Sequence, residues 1–133
     1  MEKTITEHLR DAMLVQSRAV RSIGIIGQAA GLRHDKELLA AIRREERRHY
    51  YFLEGIYEDI TGKSCPISPA PLSLPKNYQD MLRTAICDKL AAIDFYEILV
   101  DEIKCLRQKE LMEIIVSDQK EHARILAAIY GRI

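Results

Sequence analysis

Apolar residues recur at helical spacing in four separate stretches of this chain, each interrupted near its middle by polar residues on the same stripe. The first stretch, about 5–30, carries Ile5, Leu9, Ala12/Met13, Gln16, Ala19/Val20, Ile23, Ile26/Gly27 and Ala30. Thr4 or Thr6 can cap its start, and Gly31 suits its end. After a turn at Gly31-Leu32-Arg33-His34, Asp35 opens a second helix over about 35–60. Its stripe is Leu38/Leu39, Ile42, Glu46, His49, Leu53, Ile56/Tyr57 and Ile60, and Thr61-Gly62 stops it. The third helix, about 78–104, runs through Leu82, Ala85/Ile86, Lys89, Ala92/Ile93, Tyr96, Leu99/Val100 and Ile103. The fourth, about 109–131, runs through Leu111/Met112, Ile115, Gln119, His122, Leu126 and Ile129. No Gly or Pro marks the break at Leu106-Arg107-Gln108, so an internal repeat places it.

All four prolines (Pro66, Pro69, Pro71 and Pro75) fall in the connection 61–77. Lost N–H donors and fixed φ exclude a continuous helix there. The segment reads as a long crossover packed on the bundle, because either flanking helix pair alone is too small to hold a core. The halves on its two sides repeat at an offset of 73 positions (122 − 49). Lys36-Glu37-Leu38 matches Lys109-Glu110-Leu111, and Ile56-Tyr57 matches Ile129-Tyr130. Leu9-Arg10, Ala12 and Ala19 match Leu82-Arg83, Ala85 and Ala92 in the same register. The expected fold is all-α: two antiparallel helical hairpins joined by one long crossover, the ferritin-like four-helix topology, in a single domain over 1–133.

The polar interruptions are Gln16, Glu46 with His49, Lys89, and Gln119 with His122. Each lies mid-helix, so they should meet at one level of the core, where a polar group must be hydrogen-bonded or ligated. Glu46-Arg47-Arg48-His49 is an E-x-x-H step, which places carboxylate and imidazole on one helix face. Bundles build di-iron sites from such pairs. Its repeat, Gln119-Lys120-Glu121-His122, carries glutamine in place of glutamate. Glu45 and Asp118 also stand at the repeat offset, each four residues before its histidine. Glu45 lies about 40° from His49 around the helix, with Glu46 about 60° to the other side. Glu45/His49 with Asp118/His122 therefore form an alternative mononuclear His₂-carboxylate₂ set for zinc or iron.

Composition narrows the function classes. In 133 residues, 20 basic and 20 acidic side chains balance, which gives no bulk-charge case for nucleic acid or a membrane surface. The mixed run Arg43-Arg44-Glu45-Glu46-Arg47-Arg48 reads as a solvated helix face. No apolar run reaches the ~18 residues of a membrane span, and the polar start Met1-Glu2-Lys3-Thr4 has no signal-peptide character. Cys65, Cys87 and Cys105 are odd in number and widely spaced, as reduced thiols of a cytoplasmic protein would be. Cys87 lies off the face of Lys89 and has no activating partner. His8 and His34, near helix ends, read as surface residues, and Tyr50, Tyr51 and Phe52 as packing.

Over nearly its whole length the chain resembles rubrerythrin-type ferritin-like domains. That family carries E-x-x-A-x-x-x-Y and E-x-x-H in each half. Here the halves read Gln16-x-x-Ala19-x-x-x-Ile23 with Glu46-x-x-His49, and Lys89-x-x-Ala92-x-x-x-Tyr96 with Gln119-x-x-His122. Ala91-Ala92-Ile93-Asp94-Phe95-Tyr96 is similar to the family in its own right. The resemblance implies six ligand positions for two irons, a homodimer, and chemistry on peroxide or ferrous iron.

Three acidic ligand positions are altered, at Gln16, Lys89 and Gln119. Two divalent cations need several anionic oxygens, and a protonated amine offers only donors. A full di-iron centre is therefore not expected. Glu46, His49 and His122 remain able to hold a single metal. The leading expectation is that Lys89 takes over the charge role of the metal, paired with Glu46 and surrounded by Gln16, Gln119, His49 and His122. In that case the protein does structural or interaction work with no cofactor. One alternative is an iron-dependent oxidoreductase using an atypical site at Glu46, His49 and His122. Another is a helical module that binds a protein partner through its tyrosine-rich faces.

Overall fold

Thr4 sets the start of the first helix: its Oγ1 accepts from the Glu7 backbone N–H at 3.2 Å. The computed structural model describes residues 3–133 and comprises α1 (Ile5–Ala29), α2 (Arg33–Thr61), α3 (Tyr78–Glu102) and α4 (Leu106–Gly131). Met1 and Glu2 of the polar start lie outside the described residues. The fold is an all-α four-helix bundle, with no strand among the described residues. No described helix is long and apolar enough to cross a membrane.

Two apolar clusters fill the bundle, one at each end. Leu9, Met13, Leu53, Ile56, Leu99, Met112 and Ile115 belong to the first; Ile23, Ile26, Leu39, Ile42, Leu82, Leu126 and Ile129 belong to the second. The start of α1 thus lies beside the end of α2 and the end of α3, and α4 begins at that same end. Neighbouring helices are antiparallel, as short connections within each half require. The crossover carries the chain from the first cluster back to the second. A helix of 25 residues is about 37 Å long, which an extended crossover spans easily. Cys65 and Ile67 pack into the first cluster, and Arg21 Nη1 donates to the Ala70 carbonyl at 2.7 Å. The proline-rich segment is therefore laid along the bundle.

Several helix ends differ from the sequence expectation, each for a local reason. α1 does not end in a left-handed glycine; Ala30 leaves it with φ −63° and ψ 134°. Lys36 Nζ caps it instead, donating to the carbonyls of Gly27 and Gln28 at 3.1 and 3.0 Å. α2 starts at Arg33, two residues before Asp35. Asp35 is not the cap: it turns inward, buried, to accept from Arg132 Nη2 at 2.7 Å. That partner lies 97 positions away and leaves no local signal. α2 stops at Gly62, whose φ of 71° suits a residue without Cβ. α3 ends at Glu102 and α4 begins at Leu106, so the break is Ile103–Cys105 rather than 106–108. Ile103, 1% exposed, is drawn into the first cluster in an extended conformation with negative φ, so the break needs no glycine.

Candidate functional site

Between the two apolar clusters lies a polar layer built from one level of all four helices. Gln16 (α1), Glu46 and His49 (α2), Lys89 (α3), and Gln119 and His122 (α4) are all buried there. Glu46 is at the centre and fully enclosed. Its Oε1 accepts from Lys89 Nζ at 2.6 Å and from His122 Nδ1 at 2.7 Å. Its Oε2 accepts from Gln119 Nε2 at 2.9 Å and from Gln16 Nε2. A carboxylate offers about four lone-pair sites, and four donors fill them. Gln16 Nε2 also reaches the Glu46 backbone carbonyl at 3.0 Å, and Gln16 Oε1 accepts from the Tyr96 hydroxyl at 2.8 Å. Tyr96 thereby fixes the orientation of the Gln16 amide.

Glu45 and Asp118 sit at the edge of this layer and cross between α2 and α4. His122 Nε2 pairs with Glu45 Oε2 at 2.9 Å, and His49 Nε2 with Asp118 Oδ2 at 2.8 Å. Each histidine is therefore held by the carboxylate of the opposite half, and the two rings stack at 6.0 Å. His122 has a carboxylate oxygen on each nitrogen, so both nitrogens carry protons and the ring is an imidazolium. His49 differs. Its Nε2–H donates to Asp118, while Nδ1 lies 3.3 Å from the Gln119 Nε2 donor and 3.7 Å from Glu46 Oε2, too far for a hydrogen bond. These partners assign its inner nitrogen as a lone pair.

Electrostatics follow this geometry. Burial pushes the Glu46 carboxyl up, but the Lys89 charge and the His122 hydrogen bond outweigh it, holding the group well below the usual carboxylate range. Burial pushes His122 down, and the hydrogen bonds and charges of Glu46 and Glu45 carry it above the ordinary imidazole value. Burial, then the Glu46 charge, pushes the Tyr96 hydroxyl well up, so it stays a donor. Glu46 stabilises the fold above the ordinary carboxylate value of 4.5, and this is lost as pH falls through its depressed folded value. His122 contributes fully below 6.5, and this is lost as pH rises through its raised folded value. Urea unfolding across about pH 3–9 should therefore show two losses from this layer. In Glu45→Gln the alkaline loss should begin at lower pH, since one raising contact is gone. An alkaline arm identical to wild type would count against the imidazolium.

Resident iron of the kind the resemblance implies does not fit this donor set. Glu46 has no lone pair left, Lys89 presents N–H groups where a ligand would stand, and His122 is protonated on both sides. Among the described residues no three His, Cys, Asp or Glu side chains are arranged to hold one metal ion. Glu45 and Glu46 approach opposite nitrogens of His122, so they do not converge on a shared point. The four residues Glu45, His49, Asp118 and His122 pair with one another across the helices.

Tyr96, the tyrosine of the second-half motif, lies on an apolar stripe like ordinary core, and its distance to Gln16 shows that its hydroxyl serves the polar layer. Away from this layer, His8 is half-buried, with Nδ1 2.6 Å from Glu102 Oε1. Cys65 is buried, and Cys87 and Cys105 are exposed.

No protein-family model matches the chain. It is 25% identical over 123 residues to the uncharacterised protein YhjR of Bacillus subtilis, covering 92% of this chain and 83% of that one. A hypothetical protein from Pyrococcus furiosus superposes with a TM-score of 0.83 at 22% identity, over 96% of this chain and 89% of that one. CopM in its silver-bound form superposes with 0.82 at 17% identity, over 99% and 98%. A two-domain Anabaena variabilis protein, with DJ-1/ThiJ/PfpI-like and ferritin-like domains, superposes with 0.77 at 16% identity; the match covers 96% of this chain and 36% of that protein. At these identities the likeness concerns the fold, which a ferritin-like domain protein and a metal-bound protein both share.

Proposed function

We propose that this chain is a divergent ferritin-like protein, of rubrerythrin type by resemblance, whose centre is held by its own cations. The Lys89 ammonium and the His122 imidazolium occupy the place of metal charge, and the protein serves a binding or structural role. The observation that carries this reading is the saturation of Glu46 by four donors from four different residues. A buried polar network satisfied in this way specifies one packing of the core. The same network removes the open coordination position that metal-based oxidation needs.

Metal content tests this. Protein purified from cells grown with added iron, zinc or copper should carry no stoichiometric metal by elemental analysis and no visible absorption. Metal at one or two equivalents, lost in His122→Ala, would overturn the reading.

A second reading, a single-metal protein, is favoured by one feature. The His49 Nδ1 lone pair points inward and is met only by an amide donor at 3.3 Å. A cation there would have to displace Lys89 and take a proton from His122, joining Glu46, His49 and His122. CopM, a fold neighbour, has silver- and copper-bound forms, which is why copper belongs in the same assay.

A further inference from the structure

A cavity of about 230 Å³ opens between α1 and α3 and reaches the polar layer. It exists because Ala19, Ala85 and Ala92 line it where larger side chains would close the helix interface. Ile23 and Phe95 extend its apolar wall, and Val15, Arg18, Asp88 and Ala91 stand at its exposed mouth. Its buried polar lining is Gln16, Ser22, Lys89, Tyr96 and Gln119.

Three of these groups have unused hydrogen-bonding capacity. Ser22 is 6% exposed and its Oγ has no partner. Gln119 is 1% exposed and its Oε1 has no partner, because its amide nitrogen is committed to Glu46 and His49. The Lys89 ammonium has three donors, and its hydrogen bond goes to Glu46 Oε1. Buried polar groups in native proteins are nearly always partnered, so unpartnered ones along one cavity point to something that fills it.

We propose that this cavity binds a short neutral amphiphile: a primary alcohol or primary carboxamide on an aliphatic chain, about eight heavy atoms in all. The size follows from the volume, since an engineered cavity of about 150 Å³ accepts benzene. The head must both donate and accept, because Lys89 supplies donors, Gln119 Oε1 is an acceptor, and Ser22 can be either. It must also be neutral. Lys89 is already paired with Glu46, a carboxylate head at the inner end would stand against the Gln119 oxygen, and the two charged side chains at the mouth, Arg18 and Asp88, are of opposite sign and offer no net charge to hold an ion. The aliphatic chain lies against the alanines, Ile23 and Phe95. This deepens the binding role proposed above and rests on Lys89 standing at the centre.

Titration of the full chain with 1-heptanol and hexanamide, by calorimetry and by amide chemical shifts, tests it. Toluene and hexanoate are the comparators. Both amphiphiles should bind at least about tenfold more tightly than either comparator, shifting amides of α1 and α3 around Ala19 and Ala92. Ala19→Leu, which fills the cavity, should abolish binding while keeping the helical spectrum and melting temperature. Ser22→Ala should weaken hexanamide about five- to tenfold, the loss of one hydrogen bond. Toluene binding as tightly as heptanol, or saturation unchanged by Ala19→Leu, would overturn the proposal. So would the absence of any shift at millimolar probe, which would mean that water alone fills the space. Failure in protein shown to be metal-free removes only the ligand, whereas stoichiometric metal in the same preparation removes the centre on which it rests.

Discussion

Lys89→Ala is expected to destabilise the protein by about 3–5 kcal/mol, the cost of breaking a buried ion pair from one side. The pair is fully enclosed: Lys89 is 4% exposed and Glu46 0%. Removing the ammonium leaves the Glu46 carboxylate with its amide and imidazolium donors but without its closest cation. Glu46 would then take up a proton at higher pH, and the acid loss of stability should move upward. A double-mutant cycle isolates the pair. Lys89→Met combined with Glu46→Gln should cost less than the sum of the single changes, by roughly 1–3 kcal/mol. Urea unfolding at near-neutral pH is the measurement. A Lys89→Ala protein within about 0.5 kcal/mol of wild type would mean that the ammonium is not what balances Glu46, since changes of that size are typical of uninvolved surface sites.

Restoring the altered acids should have the opposite character. Gln16→Glu, Lys89→Glu and Gln119→Glu together give four carboxylates and two imidazoles around one point. Without metal the variant should be much less stable, because clustered buried carboxylates cannot all ionise. Manganese, iron or zinc should rescue it. A ligand at a thousandfold excess over its Kd adds about 4 kcal/mol, roughly 10–20 °C in Tm for a chain of this size. The wild type should show no such response. Glu45 and Asp118 already hold the outer nitrogens of both histidines, the arrangement that orients metal-ligating imidazoles. Elemental analysis should find two metal ions per variant chain. A folded variant that melts identically with and without metal would show that these six positions do not form a ligand sphere.

The two predictions separate the charge of the centre from its geometry. The first asks whether a protein cation is required where it stands. The second asks whether the surrounding side chains are still placed as ligands would be. A protein that keeps its stability in Lys89→Ala, while metal rescues the variant with the acids restored, would retain the ligand geometry without needing Lys89 to balance Glu46.

The four helices and the mid-core position of Gln16, Glu46, Lys89 and Gln119 were legible in the chain itself. Periodicity of 3.6 residues places side chains on faces wherever a helix forms, so a polar residue in phase with a stripe is inward before any contact is known. The 73-position repeat extends this from one helix to the level at which four helices meet. Helix ends were less legible, because caps are decided by single contacts. Lys36 closes α1 and Arg132 draws in Asp35, and neither follows from nearby sequence.

What the tertiary structure alone decided is who bonds to whom. Sequence spacing puts Glu45 and His49 together on α2, yet the fold pairs each histidine with the carboxylate of the facing helix, His49 with Asp118 and His122 with Glu45. The same distances protonate His122 on both sides, leave His49 a lone pair, turn Tyr96 onto Gln16, and open a cavity where alanines from two helices line one space. Periodicity is a property of one helix and can be read along it. Partnership depends on how far apart two helices stand, which only their packing sets.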